Sequence, residues 1–282
     1  MMTSTILLST YNGEKYLVPQ IESILNQTDQ DWMILIRDDG STDATNEIID
    51  CMIEKFPDKI ARLPSDANVG VIRSFELLIQ ACGTDYAFFC DQDDYWLPTK
   101  IERSKKAMKA MEMKYDDMPI GIYTDLKVVD ENLQEIHPSF WDYSKIEPKL
   151  LRNFHQLCVH PAATGCTMMI NKRAIQSSLP FSENTRMHDA WIVLKILQNG
   201  GFIKYIEEPQ VLYRQHCNNV VGAINESENY LKIRFENLKG VISNNREQWA
   251  MIDELGFHSR LRYLYEKIVY QIRYACLKYT KK

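Results

Sequence analysis

The 282-residue sequence has no excess of basic residues, since 33 Lys and Arg stand against 38 Asp and Glu for a formal charge of -5. Proteins that bind nucleic acid broadly rely on a basic surface that displaces counterions from phosphates. The composition therefore excludes a general nucleic-acid partner. Any basic patch must be local.

The sequence also lacks paired cysteines and long apolar runs. Its seven cysteines form an odd set without a C-x-x-C pair, so neither a disulfide framework nor a thiolate zinc site is indicated. No stretch approaches the roughly 20 apolar residues that span a bilayer, and the first apolar run carries no basic segment before it. We therefore expect a protein of the reducing cytoplasm without a secretion signal or a membrane span.

A linker rich in Gly, Ser or Pro is absent too, and no low-complexity segment or long-period repeat interrupts the chain. A freely swinging second domain is therefore not expected. The length fits one domain of about 200–250 residues with an appendage. The sequence predicts one compact unit followed by a helical tail.

Apolar runs alternate with amphipathic segments in the first part of the chain. Four buried strands are predicted at Thr5–Thr10, Trp32–Arg37, Ile60–Leu63 and Tyr86–Cys90. This alternation predicts an α/β fold with a mainly parallel, Rossmann-like central sheet flanked by helices. Such sheets bind ligands beyond the carboxyl ends of their strands, where the loops at Tyr11, Asp39 and Asp91 are expected.

The second half of the chain has a weaker pattern. A strand over Ile120–Val129 is predicted, then an irregular stretch rich in Pro and aromatic residues, and a short strand over Thr167–Ile170. Trp141 lies in the irregular stretch and is the candidate for stacking on a sugar ring, although buried aromatics are more often core. Beyond Asn225 the apolar spacing is helical nearly to the end.

The tail is basic, unlike the whole chain. From His258 to Lys282 there are seven Lys and Arg residues, and Glu266 is the one acid. Five apolar residues recur at nearly helical spacing: Leu261, Leu264, Ile268, Ile272 and Leu277. Such a helix suits an anionic membrane surface. It suits equally well packing on the catalytic domain or on a second subunit.

The acidic segment Asp91-Gln92-Asp93-Asp94 directly follows a predicted strand. Side chains two positions apart in an extended segment point to the same side, so Asp91 and Asp93 can present two carboxylates to a hard cation. The alternative is a solvated turn or a helix cap. A second acidic loop, Asp38-Asp39-Gly40-Ser41, is expected at the same sheet edge, and the two together favour a nucleotide and metal site.

These segments carry a family resemblance. Ser9-Thr10-Tyr11-Asn12-Gly13, Asp38-Asp39-Gly40-Ser41-Thr42-Asp43, Asn68-Val69-Gly70 and Asp91-Gln92-Asp93-Asp94 occur in the order and spacing of family 2 glycosyltransferases. His188-Asp189-Ala190-Trp191 and Tyr213-Arg214-Gln215-His216 resemble the later motifs of that family. The resemblance covers about residues 3 to 222 and implies the GT-A fold.

The resemblance also implies a division of the chain and a role for each motif. Residues 1–222 would form the catalytic domain, with a nucleotide-sugar half at about 1–115 and an acceptor half at about 116–222, and residues 223–282 a helical extension. Asp189 would be the catalytic base. The donor-binding residues would be Thr10, Tyr11, Asp39 and Asp91, and the metal ligands Asp93, Asp91 and His216. Arg73 and Arg214 are further candidates for donor binding, because a guanidinium matches phosphate oxygens with two donors.

The chemistry of sugar transfer fits these roles. A leaving nucleoside diphosphate needs a Lewis acid, here Mn²⁺ or Mg²⁺, and an acceptor hydroxyl must lose its proton to a base. One metal and one carboxylate predict single displacement with inversion at the anomeric carbon. Structural alternatives exist for Asp189 as a helix-dipole partner, for His216 as a buried histidine, and for the two arginines as surface ion pairs.

Within the family, the acidic segment followed by Trp96, Pro98 and Lys100, together with Asn219-Val220-Val221-Gly222, resembles the rhamnosyltransferase-like branch of bacterial surface-polysaccharide enzymes. The expected donor is a UDP- or dTDP-sugar, and the expected acceptor is a glycan or a lipid-linked glycan. A nucleotidyltransferase is disfavoured because the first loop has one glycine and an acid where a triphosphate needs several N–H donors. A non-catalytic nucleotide- or glycan-binding module stays the other alternative.

Overall fold

The computed structural model describes residues 3–65, 67–216 and 238–280. The strands are β1 (Ser4–Thr10), β2 (Met33–Asp38), β3 (Ile60–Arg62), β4 (Tyr86–Asp91), β5 (Tyr95–Trp96), β6 (Ile120–Thr124), β7 (Lys127–Val129), β8 (Glu135–His137), β9 (Met169–Asn171), β10 (Phe202–Ile206) and β11 (Val211–Arg214). The helices are α1 (Leu17–Leu25), α2 (Thr45–Lys55), α3 (Val71–Gln80), α4 (Lys100–Glu112), α5 (Phe140–Tyr143), α6 (Phe154–Val159), α7 (Lys172–Ser178), α8 (His188–Gln198), α9 (Leu238–Glu254) and α10 (Arg260–Thr280).

A 7-stranded sheet in the order β10-β6-β9-β4-β1-β2-β3 forms the centre of the molecule. Its strand pairs are parallel except for the two pairs that β9 makes with β4 and β6. Helices cover both faces. The predicted α/β architecture with a mainly parallel sheet is confirmed.

Alternate residues of the central strands pack into two separate cores, because successive side chains of a strand point to opposite faces. Leu7 packs with α3 and α8 on one face, through residues such as Phe75 and Ile192. Leu8 packs on the other face, where α1, α2 and α4 contribute apolar side chains. Burial on both faces explains why these strands read as continuous apolar runs.

The single strand predicted over Ile120–Val129 is wrong, because the chain leaves the central sheet at Asp125. The Asp125 carboxylate accepts hydrogen bonds from the backbone N–H of Leu126 (2.8 Å) and of Trp141 (3.2 Å), which turns the chain away from β6. The continuation, β7, joins a second, 4-stranded sheet in the order β5-β11-β7-β8. This small sheet brings β11 next to the loop that follows β4.

Trp141 is not available as a sugar platform. Its side chain is buried, and its ring meets those of Tyr123 and Tyr205 edge-on, with centroids 5.8 and 5.9 Å apart. The interpretation of Trp141 as a stacking residue is therefore wrong. The ring contributes apolar area to the core instead.

The C-terminal helices α9 and α10 follow the catalytic fold and contact each other through Trp249, Phe257 and Tyr263. Among the described helices, none combines the length and the apolar composition that crossing a membrane requires. The predicted domain limit at residues 222 and 223 and the segment Asn219-Val220-Val221-Gly222 lie outside the described residues.

Candidate active site

The predicted loops meet at one edge of the central sheet. β1 lies between β2 and β4, with Thr10 in register with Asp38 and Ser9 in register with Asp91. The three strands are parallel, so their carboxyl ends and the loops that follow them are neighbours. The sequence prediction that Tyr11, Asp39 and Asp91 share an edge is therefore confirmed.

Gln92 holds the loop that follows β1. Its Oε1 accepts hydrogen bonds from Thr10 Oγ1 (2.6 Å) and from the backbone N–H of Tyr11 (2.8 Å), and its Nε2 donates to the Tyr11 carbonyl (3.0 Å). A Cβ at Gly13 would lie 2.4 Å from the same Oε1, so a side chain there would displace the Gln92 amide from these hydrogen bonds. The phenol ring of Tyr11 stays 48% exposed at this edge, where a planar ligand can stack on it.

Asp39 organises the loop that precedes α3. Its carboxylate is buried, pairs with Arg37 Nη1 (2.6 Å) and accepts hydrogen bonds from the backbone N–H groups of Val69 and Gly70, both at 2.8 Å. Gly70 has φ of 81°, a conformation that favours glycine. The structure thus gives Asp39 a positioning function that the motif alone did not predict.

Arg73 lies on the first turn of α3, just after this loop. Its side chain is about half exposed and forms an ion pair with the buried carboxylate of Glu76. Glu76 also accepts a hydrogen bond from the backbone N–H of Phe181 (2.8 Å). Arg73 is thus near the expected edge, and Glu76 holds its guanidinium.

Carboxylates accumulate at the end of β4. The pKa of Asp91 is raised to about 7, by burial first and then by the negative charges of Asp93 and Asp189. Burial and the charges of Asp93 and Asp91 raise the pKa of Asp94 well above its usual range. These effects mean that the predicted metal ligands and the predicted base share one site, and that the site has an excess of negative charge.

A possible acidic metal-binding cluster lies at this edge. Among the described residues, potential ligand atoms of Asp91, Asp94 and Cys166 lie within 4.8 Å of one another. Burial raises the pKa of the Cys166 thiol well above its usual range, which disfavours a thiolate here. The hard oxygen donors of the acidic loop suit Mg²⁺ or Mn²⁺ better than a thiol-binding metal.

The end of β11 closes the acidic loop from the other side. Arg214 Nε donates to the Asp93 carbonyl (2.8 Å) and Nη1 donates to the Glu131 carbonyl (2.6 Å), while the guanidinium lies over the ring of Tyr16. His216 Nε2 is 2.9 Å from Asp93 Oδ2. Arg214 therefore braces the loop, and His216 is beside the predicted metal ligand.

Asp189 lies in the first turn of α8, and backbone donors orient it. Its Oδ2 accepts from the N–H of Gly165 (2.9 Å) and its Oδ1 from the N–H of Ala190 (2.6 Å). The preceding residue, His188, is buried and stacks on Phe75 with centroids 4.1 Å apart. A Cβ at Gly165 would lie 2.5 Å from His188 Nε2, so the absence of a side chain at Gly165 lets both residues take their positions.

Lys100 belongs to the motif that carries the branch resemblance, but its buried place at the site was not predicted. Its side chain is fully buried beneath the acidic loop, with Nζ 4.1 Å from the ring centre of Trp96. Burial lowers its pKa to about 8, and the nearby Cys166, Cys90 and Asp94 oppose that shift. Lys100 supplies positive charge below the carboxylates. Nothing in the sequence around Lys100, two residues after Pro98, indicated that this side chain would be buried.

The matches to known proteins agree with this geometry. The model of the family described as Glycosyl transferase family 2 matches residues 5–179. A dTDP-rhamnosyl transferase, RfbG of Shigella flexneri, is 30% identical over 228 residues, which cover 77% of this chain and 74% of the relative. An uncharacterized glycosyltransferase of Nostoc sp. is 27% identical over 228 residues, covering 79% of this chain and 68% of the relative.

Two solved structures share the fold. TarS 1-349 of S. aureus in complex with UDP has a TM-score of 0.56 at 17% identity, covering 76% of this chain and 61% of that one. The mannosyltransferase PcManGT of Pyrobaculum calidifontis, in complex with GDP-Man and Mn²⁺, has a TM-score of 0.58 at 14% identity, covering 82% of this chain and 60% of that one. The chain thus spans about three fifths of these solved chains. With its GT-A fold and its motifs at one sheet edge, the chain belongs to glycosyl transferase family 2 and resembles the rhamnosyltransferase-like branch.

Proposed function

We propose that this protein is an inverting glycosyltransferase that moves a hexose or deoxyhexose from a nucleoside-diphosphate sugar to a hydroxyl of a glycan or lipid-linked acceptor. The observation that carries the proposal is geometric: potential ligand atoms of Asp91 and Cys166 lie within 4.8 Å of each other, and Gly165, the neighbour of Cys166, donates its backbone N–H to Asp189 (2.9 Å). It joins a candidate metal site and a candidate base in one place. The biological context that we propose is bacterial surface-polysaccharide synthesis in the cytoplasm.

A divalent cation fits the residues present. Asp93 and Asp91 offer carboxylate oxygens, and His216 offers a ring nitrogen next to Asp93. The Asp94 side chain is fully buried, which is unfavourable for a carboxylate in the absence of a cation or a proton. When bound, Mn²⁺ or Mg²⁺ would neutralise charge on the leaving diphosphate. PcManGT, a solved structure with a similar fold, is in complex with GDP-Man and Mn²⁺.

The protein residues would position the donor around this cation. The exposed ring of Tyr11 suits stacking on the base, and Thr10 holds the loop that carries it. Asp39 would act at the base mainly through the loop that it organises. We propose Arg73 and Arg214 as contacts of the diphosphate side, since a guanidinium matches phosphate oxygens with two donors.

In the transfer step, the acceptor oxygen forms a bond to the anomeric carbon while the bond from that carbon to the diphosphate oxygen breaks. The acceptor proton goes to the Asp189 carboxylate, and the electron pair of the broken bond leaves with the nucleoside diphosphate. No covalent sugar intermediate is formed, so configuration inverts. The two backbone donors at Asp189 support this role because they fix its orientation.

The proposed donor is a dTDP- or UDP-sugar, with rhamnose as the first choice. Support for rhamnose comes from RfbG, described as a dTDP-rhamnosyl transferase, and from the branch motifs. Support for UDP comes from the TarS structure with that nucleotide. We propose residues 1–115 as the donor half, residues 116–222 as the acceptor half, and residues 223–282 as a helical extension.

The test is a donor screen with UDP-, dTDP- and GDP-sugars that follows released nucleoside diphosphate with Mn²⁺, with Mg²⁺ and with chelator. Metal-dependent release from one donor class, with inverted configuration in the product, is expected. A product of retained configuration would overturn the mechanism. Donor binding in calorimetry without turnover, in the presence of metal and a panel of glycan acceptors, would instead indicate a binding module.

A further inference from the structure

Helix α10 carries a continuous row of exposed apolar side chains. The exposed fractions are 83% for Leu261, 56% for Leu264, 62% for Tyr265, 52% for Ile268 and 58% for Ile272. Residues three, four and seven positions apart lie on the same side of a helix. These five side chains therefore form one face, called here the apolar stripe. Of the two interpretations of the tail, packing on the catalytic domain is wrong for Leu261, Leu264, Ile268 and Ile272, whereas Leu277 is half-buried.

The opposite face of α10 is held against the catalytic domain. Tyr270 is buried, its hydroxyl accepts from the backbone N–H of Glu147 (2.8 Å) and donates to the carbonyl of Lys145 (3.2 Å), and its ring stacks on His160. Near the other end, Lys278 pairs with Asp142. These contacts set the rotation of the helix about its axis, so the apolar stripe points away from the protein.

Basic residues border the stripe on both sides. With about 100° between successive residues, Arg260 and Lys267 lie on one border of the stripe. Arg262 and Arg273 lie on the other border. The one acid of the helix, Glu266, is half-buried toward the docked face. The outward half of α10 therefore combines an apolar stripe with positive charge only.

We propose that α10 docks the protein on a lipid bilayer whose headgroups carry negative charge. A helix of this pattern lies in the plane of the interface, with the apolar face among the upper acyl chains and the flanking cations among the anionic headgroups. The methylene stems of Lys and Arg lie in apolar surroundings while their charged end groups reach the headgroups.

A second copy of the chain fits this face less well. Two such helices packed stripe to stripe would bring the basic borders of one against the basic borders of the other. Like charges at the border of a helix pair oppose association. An anionic surface complements every charge on the outward half. The observations therefore favour the bilayer.

The docked face links the bilayer to the proposed acceptor half. Tyr270, Lys278 and the ring of His160 tie α10 to the segment of residues 140–160. A protein seated through its apolar stripe would hold this segment close to the lipid surface. The inference concerns where the protein binds and goes beyond the proposed reaction, so its test uses binding and not turnover.

The test is flotation of the full-length protein with phosphatidylcholine vesicles, with and without phosphatidylglycerol. We expect flotation with the anionic vesicles that weakens as salt is raised. The double variant Leu264→Ser, Ile268→Ser should lower the bound fraction at least about tenfold, because it removes two apolar anchors. Arg262→Gln, Arg273→Gln should weaken binding to the anionic vesicles. Both variants alter exposed positions, so circular dichroism and the unfolding midpoint should stay at wild-type values.

The matched control is Met113→Ser, which removes an apolar side chain that is 90% exposed elsewhere on the surface. It should float like the wild type. Equal flotation of the wild type with both kinds of vesicle would overturn the proposal. So would a Leu264→Ser, Ile268→Ser variant whose bound fraction equals that of the wild type. Light scattering after gel filtration measures the oligomeric state and so tests the alternative of a second copy. If the wild type were a dimer, the stripe variant a monomer, and neither protein bound vesicles, the stripe would be assigned to a second copy of the chain.

Discussion

His216 Nε2 and Asp93 Oδ2 are 2.9 Å apart, although 123 positions separate the two residues in the chain. The His216 ring also stacks on Tyr16, with centroids 4.8 Å apart. The acidic loop after β4 and the end of β11 therefore form one unit. A substitution on either side of this hydrogen bond should change how the other side binds a cation.

Asp93→Asn should remove metal-dependent transfer while the fold stays intact. The change keeps the shape of the side chain and deletes the charge that a cation would meet, at a rim position that contributes little to the core. We expect a loss in kcat of about a hundredfold or more, as for removal of several kcal/mol of charge stabilisation. The measurement is the initial rate across a Mn²⁺ titration.

Asp116→Asn is the control for that variant, because Asp116 is an exposed acid away from the site. It should keep wild-type activity and metal dependence. His216→Gln is the companion on the β11 side, and we expect it to need more Mn²⁺ for half-maximal rate. An Asp93→Asn protein as active as the wild type would remove the metal assignment.

Asp189→Asn should lower kcat without weakening donor binding. The amide retains an oxygen for one of the two backbone donors at this position, yet it cannot accept the acceptor proton. General-base catalysis contributes about 10²–10⁴-fold, which sets the size of the expected loss. Rates measured at saturating donor, together with calorimetry of the nucleoside diphosphate, separate chemistry from binding. An unchanged kcat would exclude Asp189 as the base.

Gly165→Ala should disturb the position of Asp189, because the added methyl group clashes with His188. The new methyl group would lie 2.5 Å from His188 Nε2, and the backbone N–H at this residue orients Asp189. Overpacking of this kind lowers the free energy of unfolding by about 1–3 kcal/mol, and we expect kcat to fall with it. Urea unfolding and initial rates measure the two effects.

Gly83→Ala is the matched control for this substitution. A Cβ at Gly83 meets nothing within 4 Å, so this alanine should leave both stability and rate near wild type. If the two alanine variants behaved alike, contact with His188 could not be the cause of any loss.

His160 should make the protein less stable in mild acid. Burial first, and the positive charge of Lys267 second, lower its pKa from 6.5 to about 4. As the pH falls from 6.5 to about 4, the unfolded chain takes up the proton before the folded one does, so the free energy of unfolding falls. Above pH 6.5 the residue has no effect of this kind.

His160→Gln should therefore reduce the difference in unfolding free energy between pH 7 and pH 4.5, by about 1–3 kcal/mol. Urea denaturation at the two pH values is the measurement. His258→Gln serves as the control because the His258 side chain is 77% exposed, and it should retain the wild-type difference. Equal behaviour of the two variants would contradict the burial of His160 against Tyr270.

Much of the fold and of the site was predictable because local patterns carried it. The apolar runs of β1, β2 and β4 have no solvent-facing side, so their composition alone indicated a parallel sheet covered on both faces. The short turn segments after them had to meet at one edge, since parallel strands end together. By contrast, the strand over Ile120–Val129 was predicted as one element, because the hydrogen bonds of Asp125 that divide it join residues distant in sequence.

The amino-acid order by itself determined the α/β class, the edge at which the motifs meet, and the amphipathic character of the tail. These properties follow from periodicity and from residue type, which act over a few neighbouring positions. Tertiary structure alone decided which partners each polar group has: Gln92 with Tyr11, Asp39 with Val69, and His216 with Asp93. It also decided that Lys100 is buried and that the apolar stripe of α10 faces outward. Such outcomes depend on contacts between distant segments, which local periodicity does not specify.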